Sequence, residues 1–413
     1  MLRKAFRSLL IGIAVVVISV LRLLSRFVTV RTFIGNHKLF GHLCLEPEKY
    51  LAAKSSKLEL YEIGFNGEKT PDNIGSIQFP QSEARWTIDL WSFGRPSSRS
   101  NKALVRMWKR ELFVVPSFVV DVLLRANGRF KTQPIVDYRF STLLSSDRYL
   151  DHSDPHLQLT AKENQNAQTT LRRMGLREGQ QFVCFVVREG GEAEALSRNH
   201  SVHDFEAAAL ALAEAGIAVV RMGATNCTPM KLKHDLVFDY ANTGNRSELA
   251  DIYLMANCLF AVSTMSGPDA LALAFRRPVL YIDVAHYGLV FSGTCLTTWV
   301  PARLFDMTTS NNLSLTESFI RGVGWYWKDS QFADARIGIG KSTPDEICSY
   351  VLEMFESSAH DGKASAHATQ EKYQTQMTEA MGDLGRLWHG PMVSRLAPKF
   401  LEDNSEWFLD KIR

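Results

Sequence analysis

The run QFVCFVVREGG at residues 181–191 opens the stretch that decides the fold. It reads as an apolar strand followed by a polar turn. HDFEAAALALAEAG (203–216) then has a helical pattern, and IAVVRMG (217–223) reads as the next strand. The alternation continues through the strand LVFDYA (236–241), the helix RSELADIYLMANC (246–258) and the strand LFAVS (259–263). It closes with the turn TMSGP (264–268), the helix DALALAFRR (269–277) and the strand PVLYID (278–283). Continuous β-rich apolar runs that alternate with amphipathic helices predict parallel strands buried on both faces. Sheets of that kind bind ligands in the crevice beyond the carboxyl ends of their strands. The polar residues Arg188, Arg221, Gly223, Asp239, Ser263, Ser266 and Gly267 fall at those ends.

Working outward, the 413 residues point to two domains or slightly more, and 46% hydrophobic with 22% charged residues is an ordinary globular composition. A net charge of +3 with no basic stripe beyond the N-terminus argues against a nucleic-acid partner. The six cysteines are scattered without a C-x-x-C pair, which reads as free thiols. Before residue 181 the chain repeats a strand, turn, helix, strand order: FVTVRTFI (27–34), GNHKLFGHL (35–43), LEPEKYLAAKS (45–55) and LELYEIG (58–64). Residues 100–127 read as one helical region broken at Pro116. Residues 137–160 form a polar link, and 162–174 a helix stopped by Gly175. STPDEICSYVLEMFESS (342–358) is a helix capped by Ser342 or Thr343. The expected organisation is an N-terminal helix at 1–26, an α/β domain at 27–165, a Rossmann-like domain at 166–360 and a helical tail at 361–413.

The N-terminus departs from this pattern. MLRKAFR is basic, residues Ser8 to Leu21 are uncharged and apolar, and Arg22, Arg26 and Arg31 follow. A signal peptide lacks its small-residue cleavage site here. A buried core helix is an alternative. The expectation is a membrane-associated helix with arginines reaching the headgroups, on a cytoplasmic leaflet whose anionic lipids match the charge. The uncharged run is shorter than the ~20 residues of a full span.

Four groups of residues could carry chemistry. Ser263, Ser266 and Gly267 lead into a helix whose N–H groups would favour a phosphate. Arg188 and Arg221, each near a strand end, could grip a diphosphate. Tyr240 could stack on a base, and Asp251, on a helix capped by Ser247, could accept ribose hydroxyls. Gly41 and His42 follow the first strand, with His37 nearby, and His42 could act as a general base. Each group also has a plain structural reading as a cap, a surface ion pair, a core ring or a surface loop. No metal-ligand spacing, Walker loop or dinucleotide glycine fingerprint is present, which disfavours a nicotinamide or flavin oxidoreductase.

The phrases GHLCLEPEKYL, YRFSTLLSSDRYLD, LRRMGLREGQQFVCFVVRE, VVRMG, DYANTGNRSELADIYLMANCLFAVSTMSG, STPDEICSYVLEM and APKFLEDN resemble a bacterial family assigned as glycosyltransferases of surface-polysaccharide loci. Its members look like relatives of the GT-B enzymes, which have two Rossmann-like domains facing a cleft. The resemblance implies an α/β fold of that kind, with a nucleotide-sugar donor as co-substrate and a glycan or lipid-linked acceptor; the apolar N-terminal run adds a hydrophobic helix before it, and the missing metal-ligand patterns lead to the expectation of no metal or cofactor. It places the donor site on Arg188, Arg221, Gly223, Asp239, Tyr240, Ser247, Asp251, Ser263, Ser266 and Gly267, and the family's glycine-histidine pair on Gly41 and His42. The charge of the N-terminal segment makes the cytoplasmic face of the inner membrane the expected location. A non-catalytic scaffold of polysaccharide assembly, or another glycan-modifying transferase, is the rival expectation.

Overall fold

A computed structural model describes residues 2–34, 40–55, 61–65, 74–78, 86–93, 101–130, 135–139, 144–190, 193–223, 227–359, 368–389 and 392–409. His37 lies outside them. The chain forms two compact units, Met1–Leu144 with His156–Gln158, and Ser145–Pro155 with Leu159–Arg413. Residues 145–155 and 159–165, expected with the first domain, therefore belong to the second unit.

The first unit contains α1 (Leu2–Leu23), β1 (Val28–Ile34), α2 (Phe40–Ser55), β2 (Tyr61–Phe65), β3 (Ile74–Gln78), β4 (Trp86–Ser92), α3 (Lys102–Glu111), α4 (Ser117–Asn127) and β5 (Ile135–Arg139). Its parallel sheet has the order β4-β1-β5. β2, expected to continue the unit begun by β1, instead pairs antiparallel with β3 in a sheet of its own. The break at Pro116 is real: the chain between α3 and α4 is extended, and Val114 bridges Trp91. Ala14 and Ile18 of α1 are buried with Val30, Leu90, Val120 and Ile135, so one stripe of the first helix is core. No helix among the described residues is long and apolar enough to cross a membrane.

The second unit is α/β with a large parallel sheet. Its elements are α5 (Ala161–Arg173), β6 (Phe182–Val186), α6 (Glu206–Glu214), β7 (Ala218–Arg221), β8 (Val237–Phe238), α7 (Glu248–Asn257), β9 (Ala261–Ser263), α8 (Asp269–Ala274), β10 (Val279–Val284), β11 (Thr297–Pro301), β12 (Arg303–Asp306), α9 (Leu315–Ile320), α10 (Asp329–Asp334), β13 (Ile337–Gly340), α11 (Pro344–Ala359), α12 (Ala368–His389), β14 (Arg395–Leu396) and α13 (Pro398–Phe408). Seven strands pair in parallel in the order β14-β11-β10-β9-β6-β7-β8. Every residue of β6 and of β10 is buried, which explains their unbroken apolar runs. From β6 the chain builds outward through β7 and β8, then returns to place β9 against the other side of β6 and builds outward again. The order therefore reverses between β6 and β9.

The tail is tied into this sheet. β14 joins β11 at the edge, and Trp299 Nε1 donates to Tyr373 Oη of α12 at 2.8 Å. α13 begins with the Lys399 N–H donating to Glu353 Oε1 of α11 at 3.0 Å. Burial, with Glu402 and Glu356 nearby, raises the Glu353 carboxyl to about 7. An acid with a raised folded pKa binds more protons folded than unfolded between the two pKa values, so stability falls as pH rises through that window. Glu353→Gln keeps the acceptor and removes the charge. It is expected to match the parent at about pH 4 and exceed it by roughly 1 kcal/mol at about pH 8, after discounting for partial exposure. Urea unfolding at both pH values checks this.

Candidate functional site

The reversal of strand order marks a crevice at the carboxyl ends of β6 and β9. The two ends are laced together. The Thr264 N–H donates to the Val186 carbonyl at 3.3 Å, and the Arg188 N–H donates to Thr264 Oγ1 at 2.9 Å. Met265 turns the corner with φ of 57°, in the left-handed region that a side chain adopts at a cost of about 1 kcal/mol. That corner presents the Met265 carbonyl to Arg198 Nη1 at 3.2 Å.

Three cations gather here. Arg188 is half-buried, and its Nε donates to Asn199 Oδ1 at 3.2 Å. Lys341, which follows β13, donates through Nζ to the Asn199 carbonyl. Arg198 is the neighbour of Asn199 in sequence and reaches the β9 corner. Among the described residues, no carboxylate forms an ion pair with Arg188. Beside these cations, Ser197 Oγ donates to Asp329 Oδ1 at 2.5 Å, and the Ser197 N–H donates to Asp329 Oδ2 at 2.8 Å. His286, just past β10, donates through Nδ1 to the Tyr326 carbonyl at 2.8 Å and brings Nε2 to 3.3 Å from Ser197 Oγ. Burial pulls the His286 pKa below its ordinary value.

The sequence expectation named Arg188 among these residues and missed Arg198, Lys341, Ser197, Asp329 and His286. Their signal was present but diluted. Arg198 and Ser197 lie well past the end of β6, in a loop with a 3-10 turn at Ala193–Arg198. Lys341 follows a strand of a separate sheet, β13, which pairs with β12.

Several expected donor residues are engaged in internal bonds. Arg221 is not a rim group: its side chain is buried, with Nη2 at 2.8 Å from Glu189 Oε2 and Nη1 at 3.2 Å from Asp239 Oδ1. Asp239 also accepts from the Met230 N–H and from Asn242 Nδ2. Gly223 packs closely: a Cβ there would lie 3.0 Å from Cys227 Sγ, which would have to give by a few tenths of an ångström, and in ordinary contact with Arg221 Cζ at 3.7 Å. Tyr240 is buried rather than offered for stacking: its hydroxyl donates to Asp251 Oδ1 at 2.9 Å and accepts the Ser247 N–H at 2.9 Å. Asp251 pairs with Arg246 Nη2 at 2.9 Å, and Ser247 Oγ caps α7 by accepting the Ala250 N–H at 3.1 Å.

The Ser-Gly corner is occupied from within. Asp269 Oδ2 accepts Ser263 Oγ at 2.6 Å and the Ser266 N–H at 2.8 Å. Burial raises the Asp269 carboxyl to about 6, against hydrogen bonds from Ser263 and Ser266 that lower it. α8 has only six residues, so its dipole is small, and Ser266 no longer offers its N–H to a phosphate. Gly267 is exposed at the corner.

In the first unit, Gly41 and His42 lie in the first turn of α2 rather than in a loop. His42 Nδ1 is 2.6 Å from Glu46 Oε1, one helical turn on. A carboxylate accepts only, so Nδ1 carries the proton in the neutral ring and Nε2 is left as the basic atom. Among the described residues, no three His, Cys, Asp or Glu side chains group to hold a metal ion.

No family model matches this chain, and no curated protein does. Among solved structures it is similar to a glycosyl transferase family 9 protein from Veillonella parvula, at 12% identity and a TM-score of 0.43 over 76% of this chain and 96% of that one. It is also similar to ADP-heptose LPS heptosyltransferase II of E. coli, at 13% identity and a TM-score of 0.37 over 81% of this chain and 99% of the other.

Proposed function

We propose that the chain is a glycosyltransferase that moves a sugar from a nucleotide-sugar donor to a glycan or lipid-linked acceptor in cell-surface polysaccharide synthesis. The observation that carries this reading is the placement of Arg188, Arg198 and Lys341 around Asn199, with the Arg188 backbone and the Arg198 side chain bonded to the corner that follows β9. A diphosphate carries concentrated negative charge, and it gains more as the sugar departs. Guanidinium and ammonium donors already fixed at a crevice stabilise that developing charge without reorganising. No metal is needed in this scheme. In the reading, the Met265–Gly267 corner closes one side of the diphosphate site. His42, with its tautomer set by Glu46, takes the proton of the acceptor hydroxyl.

Glu189, Arg221, Asp239, Tyr240, Ser247 and Asp251 shape the loops around the crevice in this account and do not touch the donor. Their mutual engagement also suits the rival, a scaffold that keeps the sheet and binds nothing. Calorimetric titration of the full chain with a panel of nucleotide sugars separates the two. Saturable binding that weakens as salt is raised is expected for a site built on three cations. Absence of binding across the panel would sink the enzymatic reading and favour the scaffold.

A further inference from the structure

The first helix has two apolar faces, and the core uses one of them. Ala14 and Ile18 are buried against β1, β4 and α4. On the other side Leu9, Ile13, Val16, Val17 and Val20 are between 43% and 63% exposed. Their spacing, 9-13-16-17-20, is a continuous helical stripe. Aromatic residues adjoin its C-terminal end. Phe27 and Trp86 are both exposed, and the Trp86 N–H donates to the Phe27 carbonyl at 2.8 Å. An apolar stripe of this size rarely stands in water without a partner.

From this exposed stripe we infer that α1 lies flat in the surface of an anionic lipid bilayer, with its inner stripe in the protein core and its outer stripe among the acyl chains. Charge chooses this occupant. No acidic residue precedes Glu46, while Arg3, Lys4 and Arg7 stand at one end of the helix and Arg22 and Arg26 at the other. Arg22 sits 5.0 Å over the Phe130 ring, and Arg26 is exposed. Arg31 does not join them, because it pairs with Asp89 at 2.7 Å. The exposed charges of the neighbouring α4 and its following turn are Asp121, Arg125 and Arg129. Pairing two copies of this face would set basic ends against basic ends, whereas anionic headgroups complement both. Crossing the membrane is excluded by length and by packing. The uncharged run Ser8–Leu21 spans about 21 Å as a helix against a ~30 Å hydrocarbon layer, and a crossing would strip Ala14 and Ile18 from the core.

The test is co-sedimentation of the full chain with vesicles of mixed phosphatidylcholine and phosphatidylglycerol, against phosphatidylcholine alone. Binding is expected to favour the anionic vesicles and to fall as salt rises. Val16→Ser with Val20→Ser should lower the partition coefficient about tenfold, and Arg26→Gln about fivefold on anionic vesicles only. Both variants should melt like the parent, since these side chains face outward. Equal or absent binding to the two vesicle types would overturn the inference. So would a solution dimer that Val16→Ser with Val20→Ser dissociates while lipid binding is nil, or an N-terminal tag shielded from added protease by the bilayer. None of these readouts depends on donor binding, so the inference stands or falls apart from the proposed activity.

Discussion

Arg221→Ala is expected to destabilise the second unit by about 3–5 kcal/mol. The guanidinium is buried between Glu189 and Asp239, which are themselves largely enclosed. Its removal leaves two carboxylates facing one another with no cation between them, and breaking a buried pair from one side strands the other charge. The cost spreads beyond the pair. Glu189 also accepts the N–H groups of Val202 and Thr228, and Asp239 accepts that of Met230, so the loop after β6 and the loop between β7 and β8 are held around this cation. Urea unfolding at neutral pH measures the loss. Combining Arg221→Met with Glu189→Gln and Asp239→Asn removes every charge while keeping oxygen acceptors for the backbone, and is expected to recover roughly half of it. If Arg221→Ala unfolds like the parent, the ion-pair hub is not holding the loops. Because the variant is expected to be unstable, its loss of activity alone would say nothing about catalysis.

Arg221 also shows what the sequence could and could not convey. Strand alternation, the parallel sheet of the second unit and the stop at Gly175 follow from apolar periodicity and local backbone preference, which are written in consecutive residues. Gly175 has φ of +101°, as its place after a helix demands. Which way a strand-end side chain turns is not local. Arg221 ends β7 as Arg188 follows β6, yet one points into a carboxylate pair contributed by residues 189 and 239 and the other toward Asn199. Tyr240 and Asp251 likewise looked like ligand groups because both are polar-tipped and near a turn. Their hydroxyl–carboxylate bond spans eleven positions, and no periodicity reports it. β2 shows the same limit in the first unit: its composition says strand, but its partner, β3, is set by a long-range pairing. The amphipathic second face of α1 was visible only as general apolarity. The fold had to show which stripe the core had already taken.

Arg188→Ala is expected to lower kcat/KM for nucleotide-sugar turnover by about 100- to 1000-fold while leaving the unfolding midpoint within error of the parent. The two halves of this expectation come from the same geometry. The Arg188 backbone is fixed at the switch point through its N–H on Thr264 Oγ1 and its carbonyl, which accepts the His200 N–H at 2.9 Å. Alanine keeps both of those bonds. Only the half-buried side chain is lost, with its 3.2 Å bond to Asn199. Fold and catalysis are therefore separable at this position, as they are not at Arg221. A guanidinium that meets the diphosphate more strongly as charge develops should show its loss in kcat as well as in KM, whereas one that merely attracts the donor should raise KM alone. Arg188→Lys keeps the charge but forfeits the planar fork, so it should fall between parent and alanine if two oxygens are gripped at once. Near-parental turnover in Arg188→Ala, alongside saturable donor binding, would move the diphosphate away from the β6–β9 crevice and remove the basis of the proposed mechanism.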